Sequence, residues 1–193
     1  MSNKESAFII KIAKEQGIPV TAEVAPHHFT LTEDAVNGDD ANFKINPPLR
    51  KADDVKALKE ALASGVIDVI ATDHAPHSAE EKSKGLEKSA MGITGLETAF
   101  PVLYTKLVRT GFITLEKLVD LMAVRPRQIF GIEGGKIEPG APADLCVYDL
   151  DSKFTVDSSK FISMGKSTPF DGWELYAQNK LTMLRGEIVY ETV

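Results

Sequence analysis

The sequence has little cysteine, no long apolar run and no excess of positive charge. Cys146 is its single cysteine, which excludes an intrachain disulfide and is typical of a protein from a reducing compartment. No apolar run approaches the roughly 20 residues that span a bilayer, and the first residues show no secretory signal pattern. We therefore expect a cytoplasmic protein with no membrane partner.

Several chemical classes also lack support. The 28 acidic residues outnumber the 22 basic ones and give a net charge of −6, with no basic cluster, so nucleic acid is not an expected partner. The sequence contains no glycine-rich phosphate loop, Cys-x-x-Cys pair, His-Glu-x-x-His helix or Gly-x-Ser-x-Gly turn. Nucleotide hydrolysis, thiol redox chemistry and serine hydrolysis therefore have no motif behind them.

The apolar pattern in the first part of the chain predicts an α/β fold. Ser2 stands three residues before Glu5, and apolar residues with helical spacing follow as far as Gly17, so a helix capped by Ser2 is predicted. Residues 19–24 are β-prone, and residues 66–72 are almost continuously apolar, as in a strand buried on both faces of a parallel sheet. Parallel strands need crossover helices between them.

Three further helices and a small β-rich module are predicted. Asp53 or Asp54 is expected to cap a helix that ends near Gly65, and residues 95–109 and 114–124 have helical spacing. Beyond residue 130, glycines and prolines separate short β-prone runs at residues 145–150, 153–156 and 181–190. We therefore expect a domain boundary near residue 131, between residues 1–130 and 131–193.

Asp73 is the strongest candidate for chemistry, because it follows the predicted buried strand. In parallel α/β folds the side chains beyond the carboxyl ends of strands line the ligand site. A carboxylate there can ligate a metal ion or move a proton, although capping of nearby backbone amides is the structural alternative. His77 could bond a substrate carboxylate or be a surface-loop histidine. His74 is expected to bond locally, and at most one of the adjacent His27 and His28 is expected to face a site.

Two other segments could contact a ligand. Asn46 precedes two prolines, which would hold its amide in one direction toward a planar imide or urea-like group, or simply form a stiff connection. Residues 78–92 have the composition of a solvated or mobile loop over an opening. Met91 and Gly92 end that loop, and Gly92 would let a ligand approach the backbone, whereas Met91 could be a core residue.

Taken together, these segments resemble bacterial-type dihydroorotases of the amidohydrolase superfamily. The motifs that carry the resemblance are TAEVAPHH at 21–28, NPPLR at 46–50, IATDHAPH at 70–77, GLETAFP at 95–101 and GAPADL at 140–145. The resemblance implies part of a (β/α)8 barrel followed by part of a small β-sandwich. It also implies zinc-dependent, reversible conversion of N-carbamoyl-L-aspartate to L-dihydroorotate in pyrimidine synthesis. Asp73 resembles the metal-ligating acid/base residue, and Asn46, His77, Met91 and Gly92 resemble substrate contacts.

The resemblance covers only part of such an enzyme. The family's His-x-His pair, its bridging acidic residue and its later metal histidines would all precede this chain, so Met1 is expected to be an internal position and the chain to be a carboxyl-terminal half. A whole barrel takes about 250 residues, and a catalytic zinc ion usually has three protein ligands. The isolated chain is therefore expected to bind zinc weakly, although the intact enzyme would hold one or two ions, and to be inactive.

The incomplete barrel also predicts partners. Unpaired strand edges and apolar faces favour a homo-oligomer or association with the missing half. Two alternatives to a dihydroorotase stay open. One is a related cyclic amidohydrolase, namely a hydantoinase, dihydropyrimidinase or allantoinase. The other is a non-catalytic scaffold that docks aspartate transcarbamoylase.

Overall fold

The computed structural model describes residues 1–192, which divide into two compact units. The first unit contains Met1–Ala99 and Val156–Trp173, and the second contains Phe100–Thr155 and the chain from Glu174 onward. Residues 156–173 belong to the first unit because they bond to it directly. The Thr94 hydroxyl donates to the carbonyl oxygen of Gly165 at 2.8 Å, and the Thr94 amide donates to Ser167 at 2.7 Å. The boundary near residue 131, which the glycine and proline pattern predicts, stays a prediction.

A pair of parallel strands organises the first unit. β1 (Glu23–Val24) pairs with β2 (Val69–Ile70), with Glu23 opposite Val69 and Val24 opposite Ile70. The parallel arrangement is as predicted, although the paired segments are shorter than the β-prone runs. Helices α1 (Lys4–Glu15), α2 (Pro26–Thr30) and α3 (Ala52–Ala63) precede β2 in the chain.

Helix α1 begins one residue later than predicted. Its cap is Asn3, whose side-chain oxygen accepts the Ser6 amide at 3.0 Å, and the predicted cap Ser2 is instead buried, with its hydroxyl accepting from Arg50 at 3.3 Å. Phe8 and Ile9, two of the apolar residues with helical spacing, are 62% and 63% exposed. The apolar residues of α1 therefore do not all pack into a core of the described chain.

Helix α3 packs as predicted but is capped differently. Leu58 and Leu62 are fully buried. Asp54 lies in the first turn of α3, but its carboxylate accepts a hydrogen bond from the backbone amide of Lys4, the first residue of α1, at 3.0 Å. The Lys14 ammonium lies 2.6 Å from a carboxylate oxygen of Asp68, and this pair ties α1 to the residue before β2.

Two short helices, α4 (Ala79–Lys82) and α5 (Gly85–Lys88), follow β2. Helix α6 (Ala99–Leu103) continues as a π-helical turn at Tyr104–Val108, later than the predicted start at residue 95. The reason is that the amides of Gly95 and Leu96 both donate to Nδ1 of His74, each at 3.2 Å, and so do not enter a helix. His74 therefore bonds within the protein, but to residues 21 and 22 positions along the chain and not to its immediate neighbours.

In the second unit, helix α7 (Leu115–Val119) runs through a π-helical turn at Asp120–Val124 into α8 (Arg125–Phe130). None of the helices described within residues 1–192 has both the length and the apolar character needed to cross a membrane.

An antiparallel sheet of three strands completes the second unit. β3 (Leu145–Thr155) and β5 (Glu187–Glu191) flank β4 (Glu174–Leu184). β3 merges two of the predicted runs, with an irregular register between Asp149 and Lys153. The predicted run at 181–190 is wrong as a single strand, because Arg185 and Gly186 adopt positive φ angles of 50° and 85° and form a turn.

Candidate active site

The carboxyl ends of β1 and β2 lie at the same edge of the sheet because the strands are parallel. The chain leaves β1 into Pro26, His27 and His28, and it leaves β2 toward Asp73. This edge is where ligands bind in parallel α/β folds. The structure therefore places the Asp73 segment at the position that the apolar run predicted.

Asp73 combines an exposed carboxylate with an unusual backbone. Its φ angle is 51°, in the left-handed region that residues other than glycine rarely adopt, and its side chain is 47% exposed. Within residues 1–192 no backbone amide donates to this carboxylate, so the capping alternative is not what the structure shows. Such backbone strain at a strand end is typical of functional sites.

His27 is the buried neighbour of Asp73. Its Nε2 lies 3.6 Å from Oδ2 of Asp73, its side chain is 2% exposed, and Nε2 has no hydrogen-bond partner within residues 1–192. Burial, together with positive charge at His28 and at the amino terminus, lowers the pKa of His27 to about 3. The imidazole is therefore neutral at pH 7.

His28 points elsewhere, as expected for adjacent side chains. Its Nε2 donates to the carbonyl oxygen of Pro47 at 3.0 Å, and burial lowers its pKa. This bond holds the segment that follows Asn46 against helix α2, which follows β1. Asn46 itself is exposed, and its peptide bond to Pro47 is cis.

The predicted contacts His77, Met91 and Gly92 meet one another. Nε2 of His77 donates to the carbonyl oxygen of Met91 at 3.0 Å, and Nδ1 lies 3.6 Å from Glu81. The Gly92 amide donates to the carbonyl oxygen of Lys44 at 2.9 Å, two residues before Asn46. Met91 is 56% exposed, so it is not a core residue.

Gly92 lies where only glycine fits. A Cβ at this position would be 2.6 Å from the carbonyl oxygen of Ala75 and 3.1 Å from Nε2 of His77, and the φ angle is 139°. Ala75 in turn donates its amide to Ile93 at 2.9 Å, next to the parallel bridge between His74 and Ile93. The loop end at Met91 and Gly92 is thereby fixed beside the segment that carries Asp73.

Lys82 is a residue whose role the sequence did not reveal. Its ammonium donates to the carbonyl oxygens of Gly92 at 2.8 Å, Ala90 at 3.1 Å and Lys44 at 3.4 Å. Burial and the nearby Lys44 lower its pKa. Residues 78–92, predicted as a solvated or mobile loop, instead include α4 and α5. The Lys82 ammonium holds the end of this segment through its three hydrogen bonds.

The residues described here do not complete a zinc site. Among residues 1–192 there is no group of three or more histidine, cysteine, aspartate or glutamate side chains placed to hold a metal ion. Asp73 and His27 form a pair only, whereas a catalytic zinc ion usually takes three protein ligands. The zinc chemistry implied by the resemblance therefore needs ligands from outside these residues.

Comparisons with known proteins agree with the geometry. A model of the amidohydrolase family matches residues 3–189. Dihydroorotases of Bacillus caldolyticus and Bacillus cytotoxicus are 50% and 49% identical to the chain over 191 residues, which is 99% of the chain and 45% of each relative. The chain therefore spans less than half the length of these relatives. Its placement in their carboxyl-terminal half rests on the order of the motifs and stays a prediction.

Solved structures show the same fold. An L-hydantoinase (dihydropyrimidinase) from Arthrobacter aurescens is 36% identical, with a TM-score of 0.92 over 99% of the chain and 44% of that protein. A D-hydantoinase (dihydropyrimidinase) from a Thermus species is 28% identical, with a TM-score of 0.91 over 99% of the chain and 43% of that protein. These likenesses confirm the predicted fold class, a partial (β/α)8 barrel with a small antiparallel sheet.

Proposed function

Because the chain belongs to the amidohydrolase family, we propose that it forms one part of a dihydroorotase, which interconverts N-carbamoyl-L-aspartate and L-dihydroorotate in pyrimidine synthesis. The observation that carries the proposal is the exposed carboxylate of Asp73 at a strand end, beside a loop that brings His77, Met91 and Gly92 together. The 50% identity to the Bacillus caldolyticus dihydroorotase supports this substrate class.

Asp73 is the acid/base residue in this proposal. For ring opening, its carboxylate takes a proton from the attacking water, whose oxygen bonds to the ring amide carbon. The carbon–nitrogen bond then breaks, and Asp73 returns the proton to the leaving nitrogen. Exposure of the side chain gives water and substrate access to it.

The remaining candidate residues are proposed to bind the substrate or to form the wall of the site. Asn46 is exposed and presents an amide that can donate and accept, which suits the planar imide-like edge of the ring. His77 and Gly92 already use polar groups on Met91 and Lys44. Their proposed role is therefore to form a rigid wall of the site, and direct contact with substrate would exchange these internal bonds.

The proposal includes a partner that supplies the rest of the site. Zinc would act as a Lewis acid toward the ring carbonyl, and its missing ligands would come from the remaining part of the enzyme. Phe8, Ile9 and Ile18 expose apolar surface at 62%, 63% and 51% around α1. We infer that this surface is covered by that complementary part rather than by a second copy, because the chain spans only 45% of its relatives.

We also propose that the protein is cytoplasmic. Cys146 is exposed and free, which suits the reducing cytoplasm.

The alternative enzyme function is that of a hydantoinase or dihydropyrimidinase, which the TM-score of 0.92 to the Arthrobacter aurescens protein favours. A scaffold that docks aspartate transcarbamoylase is the non-catalytic alternative.

Complementation tests these proposals together. The chain would be mixed with zinc and with the remaining part of the Bacillus caldolyticus dihydroorotase, which is expressed as a separate polypeptide. We expect a complex on size exclusion and ring opening of dihydroorotate, none from the chain alone, and a loss of at least 100-fold with Asp73→Asn.

Three results would overturn the proposal. Failure to form a complex removes the complementary partner. A complex that opens hydantoin or dihydrouracil faster than dihydroorotate supports the alternative enzyme function. Binding to aspartate transcarbamoylase by a complex without ring-opening activity supports the scaffold.

A further inference from the structure

His27 is buried beside Asp73 in an arrangement that the proposed mechanism does not use. Its side chain is 2% exposed, and its Nε2 has no hydrogen-bond partner within residues 1–192. Buried polar atoms are almost always paired, so an unpaired one needs an explanation. The carboxylate oxygen Oδ2 of Asp73 lies 3.6 Å from Nε2, just beyond hydrogen-bond distance.

We propose that His27 is a positioning residue for Asp73: a small side-chain movement brings Nε2 and Oδ2 from 3.6 Å to hydrogen-bond distance, Nε2–H of His27 donates to Oδ2, and Oδ1 stays free to move the proton. The proposal rests on the role of Asp73 in the proposed function. A donated hydrogen bond restricts rotation of the carboxylate about the bond from Cβ to Cγ. The φ angle of 51° already fixes the backbone of Asp73, so the two constraints together hold one oxygen toward the site opening.

The imidazole suits this task because it is buried beside the strand end that carries Asp73. His27 lies in α2, three residues beyond the end of β1, and parallel pairing places the end of β1 beside the end of β2. The ring is packed against His28, with centroids 4.3 Å apart. Burial fixes the ring and excludes water from Nε2, so that no solvent molecule competes for the donor.

His28 is the matched control within the same helix, α2. It is also buried, but its Nε2 donates to the carbonyl oxygen of Pro47 and not to a carboxylate. A change at Asp73 should therefore alter the ring nitrogens of His27 more than those of His28, which feels the charge of Asp73 but accepts no contact from it.

The first experiment uses the chain alone and needs no activity. Long-range proton–nitrogen spectra of the histidine-labelled chain report which ring nitrogen carries the proton. We expect His27 to be protonated at Nε2 and its Nε2 resonance to move with Asp73→Asn, while the His28 resonances move less, because Asp73 acts on His28 only through its charge. Protonation of His27 at Nδ1, or no response to Asp73→Asn, would overturn the proposal. Should Asp73→Asn fail to fold, Asp73→Glu, which keeps the charge and displaces the acceptor, gives the same reading.

The second experiment uses the complemented enzyme. We expect His27→Phe to lower kcat about tenfold with KM within twofold, and His27→Gln, which keeps a donor, to recover part of the loss. His28→Gln serves as the control for general damage to α2. The graded loss in kcat expected for His27→Phe and His27→Gln is not expected for this variant. Equal losses in kcat for Phe and Gln would contradict positioning by a hydrogen bond. An inactive wild-type complex would instead refute the proposed function, and the spectra would still decide the role of His27.

Discussion

A Cβ atom at position 92 would lie 2.6 Å from the carbonyl oxygen of Ala75 and 2.7 Å from its Cβ. Both atoms of Ala75 belong to the segment between Asp73 and His77, and its backbone is held by Ile93. The loop end at Gly92 and the segment at Ala75 can therefore pack this closely only because Gly92 has no side chain. This close approach is the first feature to test.

We expect Gly92→Ala to lower the free energy of unfolding by about 1–3 kcal/mol, because the added methyl group meets fixed backbone. Urea titration of the chain measures the change. Gly17→Ala is the control, since Gly17 also has a positive φ angle but open space around it. An equal loss in both variants would show that backbone conformation alone, and not the contact with Ala75, sets the requirement.

Lys82→Met should loosen residues 78–92, because three carbonyl oxygens lose the ammonium that joins them. Hydrogen bonds to a charged group contribute roughly 1.5–3 kcal/mol, so we expect faster amide exchange at Gly92 and its neighbours. Hydrogen–deuterium exchange of peptides from this loop measures the effect. The exposed Lys84, changed to Met, is the matched control and should leave exchange as it is. Unaltered exchange in Lys82→Met would mean that the loop is held by its other contacts.

Stability should fall in mild acid because of His27. The unfolded chain binds a proton at this residue below about pH 6.5, whereas the folded chain resists it down to a pKa of about 3. Between these values the unfolded state binds more protons, so the free energy of unfolding rises with pH. At pH 5, about 1.5 pH units below the unfolded pKa, His27 should cost about 2 kcal/mol relative to pH 8.

Denaturant titrations from pH 5 to pH 8 would check this cost. His27→Gln cannot titrate, so its stability should depend less steeply on pH, by about one proton, than that of the original chain. His28 contributes with the same sign, because its pKa is also lowered, and it accounts for part of the slope that remains. A slope unaffected by His27→Gln would show that the ring is protonated equally in both states.

The pair formed by Lys14 and Asp68 should matter more than the exposed pair on the same helix. Asp68 accepts from the Lys14 ammonium at 2.6 Å and from the Ala22 amide at 2.8 Å, and both side chains are largely buried. We expect Asp68→Asn to cost about 1–3 kcal/mol in thermal or urea unfolding. Glu15→Gln removes the exposed partner of Lys11 at 3.9 Å and should change stability by less than about 0.5 kcal/mol. Similar costs for the two variants would contradict this ranking.

The sequence predicted where Asp73 lies because the signal is local. A continuous apolar run has one interpretation in a parallel sheet, and the residue after it must emerge at the carboxyl edge. Helix α3 was predictable for the same reason, since Leu58 and Leu62 repeat with helical spacing and are buried.

Features that depend on distant segments were not predictable. Helical spacing predicts α1 but not what covers Phe8 and Ile9, which are exposed in the described chain. The cap of α1 moved to Asn3 because Ser2 found a partner in Arg50, 48 residues away. His27 and Lys82 act on groups far along the chain, and a histidine pair or a lysine in a charged run carries no sign of that in its own neighbourhood.

The return of residues 156–173 to the first unit has a consequence for how the protein is made. Gly165 lies so close to His77 that an added Cβ would meet its backbone nitrogen at 2.9 Å, and Phe170 is fully buried in the same unit. A ribosome therefore has to deliver the chain past residue 173 before this unit can close. Until residues 156–173 have been added, the segment from Asp73 to His77 lacks its packing against Gly165 and is accessible to chaperones and proteases.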